Sequence, residues 1–148
     1  MSWPLDRLPP ISDLVPHQYA MCFWQQILRL NENEILCQTQ HHLMPSHPLK
    51  HNEHLSVTAL IEYGAQAVAV HGGACAWLNA GAATTRPGYL AAVRGVTFYD
   101  FDARTPYLQG LAQLISADES CKNYQFKLFD AQQQCVCDGR VMVVHPGE

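Results

Sequence analysis

The sequence predicts an α+β fold in which one antiparallel sheet wraps around a single long helix. One long apolar segment, between Leu55 and Thr85, contains a single formally charged residue, Glu62. Six strand-like runs flank it, two before and four after, which gives the order β-β-α-β-β-β-β. A helix that is apolar nearly all round must be covered on every side. Because the chain offers no second apolar layer, the sheet is the element that covers it.

Composition limits the classes of function. The chain has 148 residues, 48% of them hydrophobic, and no composition break, which predicts one domain over residues 1–148. A net charge of −4 argues against a nucleic-acid footprint and against a polybasic membrane anchor. The N-terminus has no secretion-signal pattern, and the longest uncharged stretch is too polar to span a membrane. We therefore expect a cytoplasmic protein whose six cysteines are reduced.

The N-terminal third predicts an arm followed by a hairpin. Residues 1–16 contain four prolines and form a Pro-rich arm with one short turn that begins at Ser12. The runs from Tyr19 to Leu30 and from Ile35 to His42 are rich in strand formers, and the polar residues 31–34 between them predict a turn. These two runs are expected to pair as a β-hairpin.

The central helix follows a loop that contains proline and histidine residues, from Leu43 to Glu53. Its start is predicted at a cap on Asn52 or Ser56, and its end at Gly81 and Pro87. This gives a helix of about 25 residues, which is long for a domain of this size. Four further runs with the composition of strands are then predicted to form strands: Tyr89 to Phe101, Pro106 to Ala117, Tyr124 to Phe129, and Cys135 to Val144.

Glu62 is the strongest candidate for a functional residue. Burying a bare carboxylate costs several kcal/mol, so a carboxylate on an apolar helix must be paired, solvated through a pocket, or shifted in pKa. The alternative is a solvated helix residue or one paired with Lys50 or Arg94.

Three segments of the sequence carry a family resemblance. They are His47-Pro48-Leu49-Lys50, the helix motif Ile61-Glu62-Tyr63-Gly64-Ala65-Gln66-Ala67 with its continuation to His71-Gly72-Gly73, and the upstream Leu14-Val15-Pro16-His17. Together they resemble the 3-hydroxyacyl-carrier-protein dehydratases, most closely the branch found in aryl polyene pigment clusters.

The resemblance implies the hotdog fold, in which a sheet wraps around a central helix, and a dimer with its sites at the interface. In that family a His from one subunit faces the Glu of the other. By motif position, His47 is then the base that takes the α-proton of a 3-hydroxyacyl thioester on acyl carrier protein. Glu62 is the acid that protonates the departing hydroxyl. The resemblance implies no metal or redox cofactor and leaves homodimer and heterodimer open.

Three further residues are predicted to contact the substrate: Val57, Tyr63 and Gln66. The helix start near Val57 offers backbone N–H groups to the developing enolate oxygen. Gln66 lies one turn after Glu62 and is placed to orient its carboxyl, whose pKa an apolar environment raises. The pair Tyr63-Gly64 replaces the methionine that is more usual at the second position of the family motif, which predicts more space beside Glu62.

Other functions fit parts of the pattern. His47, His51 and His54 have helical spacing for zinc ligands, but Pro45 and Pro48 disfavour a helix there, so no metal site is predicted.

A motif at the far end of the helix raises a second enzyme class. His71-Gly72-Gly73 is similar to a motif of hotdog thioesterases, although it lies late in the helix, where close packing around a satisfied His is the favoured interpretation. A hotdog subunit that binds acyl chains without catalysis is the remaining alternative.

A carrier protein is usually acidic, so its docking is expected to use basic residues of this chain. The candidates are Lys50, Arg86, Arg94 and Arg104.

Overall fold

Six antiparallel strands form one sheet that packs against one long helix. The computed structural model describes residues 2–16, 19–80 and 89–145. The elements are β1 (Gln26–Leu30), β2 (Glu34–Thr39), β3 (Lys50–His51), β4 (His54–Leu55), α1 (Ala59–Ala80), β5 (Tyr89–Phe98), β6 (Leu108–Ala117), β7 (Cys121–Phe129) and β8 (Cys135–Val144). In the large sheet the strands lie in the order β1-β2-β6-β7-β8-β5. The predicted sequence of six main strands and one helix is confirmed.

The small hairpin of β3 and β4 is absent from the sequence prediction. His51 pairs with His54, and the two residues between them, Asn52 and Glu53, both have positive φ angles, of 52° and 64°. Two consecutive positive φ values are typical of the tight turn that joins two antiparallel strands. Asn52 therefore belongs to this turn, and its prediction as the cap of α1 is wrong.

The predicted first strand is too long at its N-terminal end. Tyr19–Met21 forms a 3₁₀ turn, and β1 begins only at Gln26. Phe23 in this segment is held by side chains, whereas the N–H of Gln25 already donates to the carbonyl of Gln38 on β2 at 3.3 Å. The N–H of Phe23 donates to Oε1 of Gln66 at 2.9 Å, and its carbonyl accepts from the hydroxyl of Thr39 at 2.6 Å. Strand propensity does not predict hydrogen bonds to side chains that are distant in sequence.

The second predicted strand also ends early, because His41–Leu43 turns into a 3₁₀ helix after Thr39. The N–H of His41 donates back to the hydroxyl of Thr39 at 3.0 Å. This turn carries His41 and His42 into the interior, where they are 4% and 1% exposed.

Helix α1 begins at Ala59, three residues after the other predicted cap, Ser56. Oγ of Ser56 accepts a 3.3 Å bond from the N–H of Thr58, and its carbonyl accepts from the N–H of Ala59. The first turn is thus a 3₁₀ turn that leads into the α-helix. The described helix has 22 residues, while Gly81 and Pro87, which were predicted to end it, lie outside the described residues.

Close approach to α1 requires glycine at two positions. At Gly64 a Cβ atom would collide with the ring of Phe126 on β7, so this ring occupies the space that the missing side chain leaves. The extra room predicted beside Glu62 is therefore filled by the sheet. At Gly73 a Cβ atom would meet the carbonyl of Leu14, because the N-terminal arm crosses the helix there.

No helix in the described part of the chain is long and apolar enough to cross a membrane. All six cysteines are free thiols.

Candidate functional site

Two consecutive turns position His47. The N–H of His47 donates to the carbonyl of Met44 at 3.1 Å, and the N–H of Lys50 donates to the carbonyl of His47 at 3.0 Å. Each turn has a proline, Pro45 or Pro48, at its second position, where the fixed φ of proline is favoured. His47 therefore closes one turn and opens the next, and its position is defined from both sides.

Both ring nitrogens of His47 have partners within the chain. Nε2 lies 2.9 Å from the hydroxyl of Tyr63, and Nδ1 accepts a bond of 3.0 Å from the N–H of Leu49. The residue is 3% exposed. Since a backbone N–H can only donate, Nδ1 carries the lone pair, and the proton of the neutral ring is on Nε2, which donates to the oxygen of Tyr63.

The surroundings of His47 keep its ring neutral. Burial lowers the pKa of His47 to about 4, and the nearby positive charges of His41, Lys50 and His42, when present, act in the same direction. A neutral imidazole at physiological pH is the form that a general base requires.

The ring of Phe23 packs against three other rings of the site. Its centroid lies 4.7 Å from His47, 4.8 Å from His41 and 4.6 Å from Tyr63. Phe23 and Tyr63 are both fully buried. The hydroxyl of Tyr63 also lies 3.4 Å from Nδ1 of His41, so it contacts two histidine rings. Burial raises the pKa of Tyr63, which keeps the phenol protonated.

Gln66 orients Glu62 as the sequence predicts. Its Nε2 donates to Oε1 of Glu62 at 2.9 Å and to the carbonyl of Met21 at 2.8 Å, while its own oxygen accepts from Phe23. With 1% exposure and three partners, the amide is held in one orientation. Glu62 itself is half-buried, and Gln66 gives its carboxyl a defined position.

The five predicted site residues therefore form two pairs and one separate residue. His47 contacts Tyr63, and Glu62 contacts Gln66. Within the described residues, no hydrogen bond joins His47 to Glu62 of the same chain. This leaves intact the expectation that a His and a Glu from two subunits face each other.

Val57 lies apart from both pairs, at the start of α1. It is 40% exposed and lines a cavity of about 650 Å³ between the β3-β4 hairpin and residues 101–104. In the described part of the chain no acceptor bonds the N–H of Val57, whereas those of Thr58, Ala59, Leu60 and Ile61 all have partners. Its side chain shares this cavity with Lys50 and Arg104, two of the predicted docking residues.

The histidine-rich segment divides into an inner and an outer group. His41, His42 and His47 are buried, while His51 and His54 are exposed on the hairpin. Among the described residues, no three His, Cys, Asp or Glu side chains are grouped to hold a metal ion. The helix that would bring His47, His51 and His54 onto one face does not form, because turns at Pro45 and Pro48 take its place.

His71 is a satisfied core residue, as favoured from the sequence. Its Nδ1 lies 2.7 Å from the hydroxyl of Tyr124 and its Nε2 lies 3.0 Å from the carbonyl of Asn31. Both nitrogens of the 1% exposed ring are thus used in packing α1 against β7 and the β1-β2 turn.

The contact between Tyr63 and His47 is the part of the site that sequence reasoning missed. Tyr63 was predicted as a substrate contact, but its side chain is fully buried and its hydroxyl faces His47. A signal was present: a tyrosine on a buried helix needs a partner for its hydroxyl. Nothing in the spacing identifies that partner, because His47 belongs to an irregular loop.

Comparisons with known proteins agree with this architecture. A family model described as ApeP-like, ApeP dehydratase, matches residues 9–148. A search of curated proteins finds no match. The dehydratase heterocomplex ApeI:P from Xenorhabdus doucetiae superposes with a TM-score of 0.76 at 20% identity, over 95% of this chain and 93% of that one.

Two other solved structures share the fold at lower similarity. A hypothetical thioesterase with coenzyme A from Streptococcus pneumoniae TIGR4 has a TM-score of 0.63 at 8% identity, with coverage of 83% of this chain and 86% of that one. The E. coli PaaI protein from the phenylacetic acid degradation operon has a TM-score of 0.56 at 16% identity, with 82% of each chain covered.

These structural similarities confirm the hotdog fold, but at such low sequence identity they show only the fold. The family model is more informative, because it spans nearly the whole chain and includes both the loop of His47 and the helix of Glu62. The chain belongs to the ApeP-like dehydratase family.

Proposed function

We propose that this protein dehydrates 3-hydroxyacyl thioesters carried on acyl carrier protein to trans-2-enoyl thioesters, in the biosynthesis of aryl polyene or fatty-acid-like chains. The observation that carries the proposal is the carboxyl of Glu62, fixed by Gln66 on a buried helix of a dehydratase-family chain. A half-buried carboxyl with one defined orientation suits an acid that must protonate a leaving hydroxyl.

In this mechanism His47 is the base. The C–H bond next to the thioester carbonyl breaks, its proton moves to the imidazole, and the electron pair moves to the carbonyl oxygen. The resulting enolate re-forms the carbonyl as the C3–O bond breaks, and Glu62 gives its proton to the departing oxygen, which leaves as water. The neutral state of His47 supports the first step, since only an unprotonated ring accepts a proton.

The N–H of Val57 is the candidate donor to the enolate oxygen. It stands at the N-terminal end of α1, where the helix dipole is positive, and in the described residues it has no acceptor of its own. The cavity beside it offers space for the pantetheine arm of the substrate.

We propose that a second hotdog subunit, either another copy or a different chain, completes the site. Within the described residues β5 is an edge strand that pairs only with β8, and Leu90, Phe98 and Tyr99 expose apolar surface along or just after it. An unpaired edge with apolar side chains favours pairing with another chain. The similar structure ApeI:P is described as a dehydratase heterocomplex, which supports a partner subunit for this chain.

Docking of the carrier protein is expected near the same cavity. Lys50 and Arg104 line it, and Arg94 is exposed on β5. Arg104 is already paired with Asp102 at 3.0 Å, and Nζ of Lys50 donates to a backbone carbonyl at 2.8 Å, so the exposed Arg94 is the better candidate. Arg86 lies outside the described residues.

Intact-mass measurement of a 3-hydroxyacyl carrier protein tests the reaction, because dehydration removes one water and hydrolysis releases the carrier thiol. We expect Glu62→Gln and His47→Ala each to slow water loss roughly 10²- to 10⁴-fold. Glu119→Gln and His51→Ala change exposed residues outside the site and serve as matched controls. Wild-type turnover in Glu62→Gln would sink the assignment.

One observation favours a second candidate, a subunit that supplies Glu62 to a site whose base comes from another chain. Both nitrogens of His47 are bonded inside its own chain. If this candidate holds, the purified chain is inactive alone and becomes active with a second dehydratase-like chain. In that mixture Glu62→Gln abolishes activity while His47→Ala has little effect on turnover.

A further inference from the structure

The hydrogen bonds around His47 have a defined polarity. The N–H of Leu49 can only donate, so Nδ1 of His47 is an acceptor, and the ring proton must lie on Nε2. Nε2 therefore donates to the oxygen of Tyr63 at 2.9 Å. The hydroxyl proton of Tyr63 is then free to point away from His47, and Nδ1 of His41 lies 3.4 Å from the hydroxyl oxygen. Leu49, His47 and Tyr63 thus form one directed series of donors and acceptors.

The two nitrogens of His47 differ in their surroundings. Nε2 faces a tyrosine that is fully buried and packed against Phe23 and Trp24, with ring centroids 4.6 and 5.6 Å away. Nδ1 accepts from the N–H of Leu49, a residue that is 37% exposed in the turn after His47. A substrate that uses Nδ1 must therefore displace this N–H.

We propose that Tyr63 is a positioning residue for His47: its hydroxyl oxygen accepts from the Nε2–H that the Leu49 N–H selects, holds the ring in place, and so leaves Nδ1 as the atom that accepts the substrate proton. This inference rests on the proposed function for the identity of the proton donor. When the C–H bond breaks, the new N–H bond forms at Nδ1, and the Nε2–H bond remains intact. The positive ring then donates from Nε2 to Tyr63, and this bond strengthens because the donor is charged.

The role of Tyr63 thus resembles that of a residue that orients a catalytic imidazole and stabilises its charged form. Nδ1 of His41 lies 3.4 Å from the hydroxyl of Tyr63 and accepts its proton when His41 is in the Nε2–H tautomer. The other groups that face His47 are His42 on the same 3₁₀ turn and Lys50 on β3, both of which disfavour positive charge. Tyr63 is the one described contact of Nε2 that favours it.

The tautomer is tested without any enzyme assay. In ¹⁵N-histidine-labelled protein, long-range nitrogen–proton correlation spectra at pH 7.5 distinguish the two neutral tautomers, and His47→Asn assigns the signal. We expect His47 in the Nε2–H form in the wild type and also in Tyr63→Phe, where the Leu49 N–H still donates to Nδ1. An Nδ1–H form in the wild type overturns the proposal, whether or not the protein is a dehydratase.

The kinetic role is tested with a matched pair of variants. Tyr63→Phe removes the buried hydroxyl that contacts His47 and, at 3.4 Å, His41. Tyr124→Phe removes a buried hydroxyl that bonds His71 outside the site. We expect Tyr63→Phe to lower kcat about 10-fold or more with little change in KM, since a hydrogen bond to a charged group is lost. The acid limb of its kcat profile shifts to lower pH, because the charged ring has lost a partner.

Tyr124→Phe is expected to lose comparable thermal stability with kcat and the acid limb unchanged. Equal losses of kcat in the two variants, or an unmoved acid limb in Tyr63→Phe, assign Tyr63 a merely structural role and overturn the proposal. If no variant or wild-type preparation dehydrates any 3-hydroxyacyl carrier protein while the Nε2–H tautomer is observed, the proposed function fails, and Nδ1 loses its assigned proton donor with it.

Discussion

The side-chain amide of Gln66 donates a 2.9 Å hydrogen bond to Oε1 of Glu62, one helical turn away, and at the same time fastens α1 to the backbone of Met21 and Phe23. The same amide therefore joins the candidate acid to the segment whose ring packs on His47. Through this arrangement a change at Gln66 reaches both candidate catalytic residues.

Replacement of Gln66 by leucine is expected to lower both activity and stability. The N–H of Phe23 and the carbonyl of Met21 lose their partners, which costs about 1–3 kcal/mol for each buried group left unsatisfied. Glu62 also loses its orienting bond, so kcat falls more than the folded fraction does. Urea unfolding and carrier-protein turnover measure the two effects. Gln109→Leu, which removes an amide pair on the surface of β2 and β6, is the control.

Two neighbouring glycines of α1 are expected to respond oppositely to alanine. At Gly73 a Cβ collides with the carbonyl of Leu14, so Gly73→Ala displaces the N-terminal arm and costs about 1–3 kcal/mol. At Gly72 no atom lies within 4 Å of the added Cβ. Gly72→Ala should therefore be neutral or stabilise by up to about 1 kcal/mol, the helix propensity difference. Equal urea midpoints for the two variants contradict this packing of the arm.

The sequence was sufficient for the fold because the signals of that fold are regular. The strand Cys135–Val144 matches its prediction at both ends, and an apolar helix with one charge admits few arrangements. Predictions were less accurate where side chains replace backbone partners. Phe23 lies in a run of strand composition, yet its backbone hydrogen bonds go to the side chains of Gln66 and Thr39, which lie far away in sequence.

The candidate site likewise contains one contact that a periodic pattern predicts and one that it does not. The pairing of Glu62 with Gln66 followed from helix periodicity, because residues four apart share a face. The pairing of His47 with Tyr63 depends on the path of a loop through two proline turns and a hairpin, which no periodic pattern encodes. Only the three-dimensional arrangement reveals which nitrogen of His47 carries the proton.

Thr39 is expected to be required for the packing of Phe23. Its hydroxyl donates to the carbonyl of Phe23 at 2.6 Å and accepts from the N–H of His41 at 3.0 Å, and the residue is 1% exposed. Thr39→Val keeps the shape but leaves both backbone groups unsatisfied, at a cost of about 1–3 kcal/mol. Thr39→Ser keeps the hydroxyl and should lose less. If valine is tolerated better than serine in thermal unfolding, the two hydrogen bonds contribute little.

The four buried histidines of the described residues predict that the protein loses stability in mild acid. Burial lowers the pKa of His41, His42, His47 and His71, for His47 to about 4, so the folded state keeps these rings neutral. The unfolded chain binds protons near its ordinary histidine pKa of about 6.5. The stabilisation is therefore complete above that pH and is lost as the pH falls toward 4, since the unfolded state takes up more protons.

Denaturant midpoints measured from pH 8 to pH 4.5 test this dependence. For His47 alone the loss is on the order of 2 kcal/mol, because one pKa unit corresponds to about 1.4 kcal/mol. His47→Asn is expected to be less stable than the wild type at pH 8, with a difference that narrows on acidification, because asparagine does not titrate. His54→Asn, on the exposed hairpin, should keep the wild-type slope. A constant difference between His47→Asn and the wild type across this range would show that His47 is as easily protonated in the folded chain as in the unfolded one.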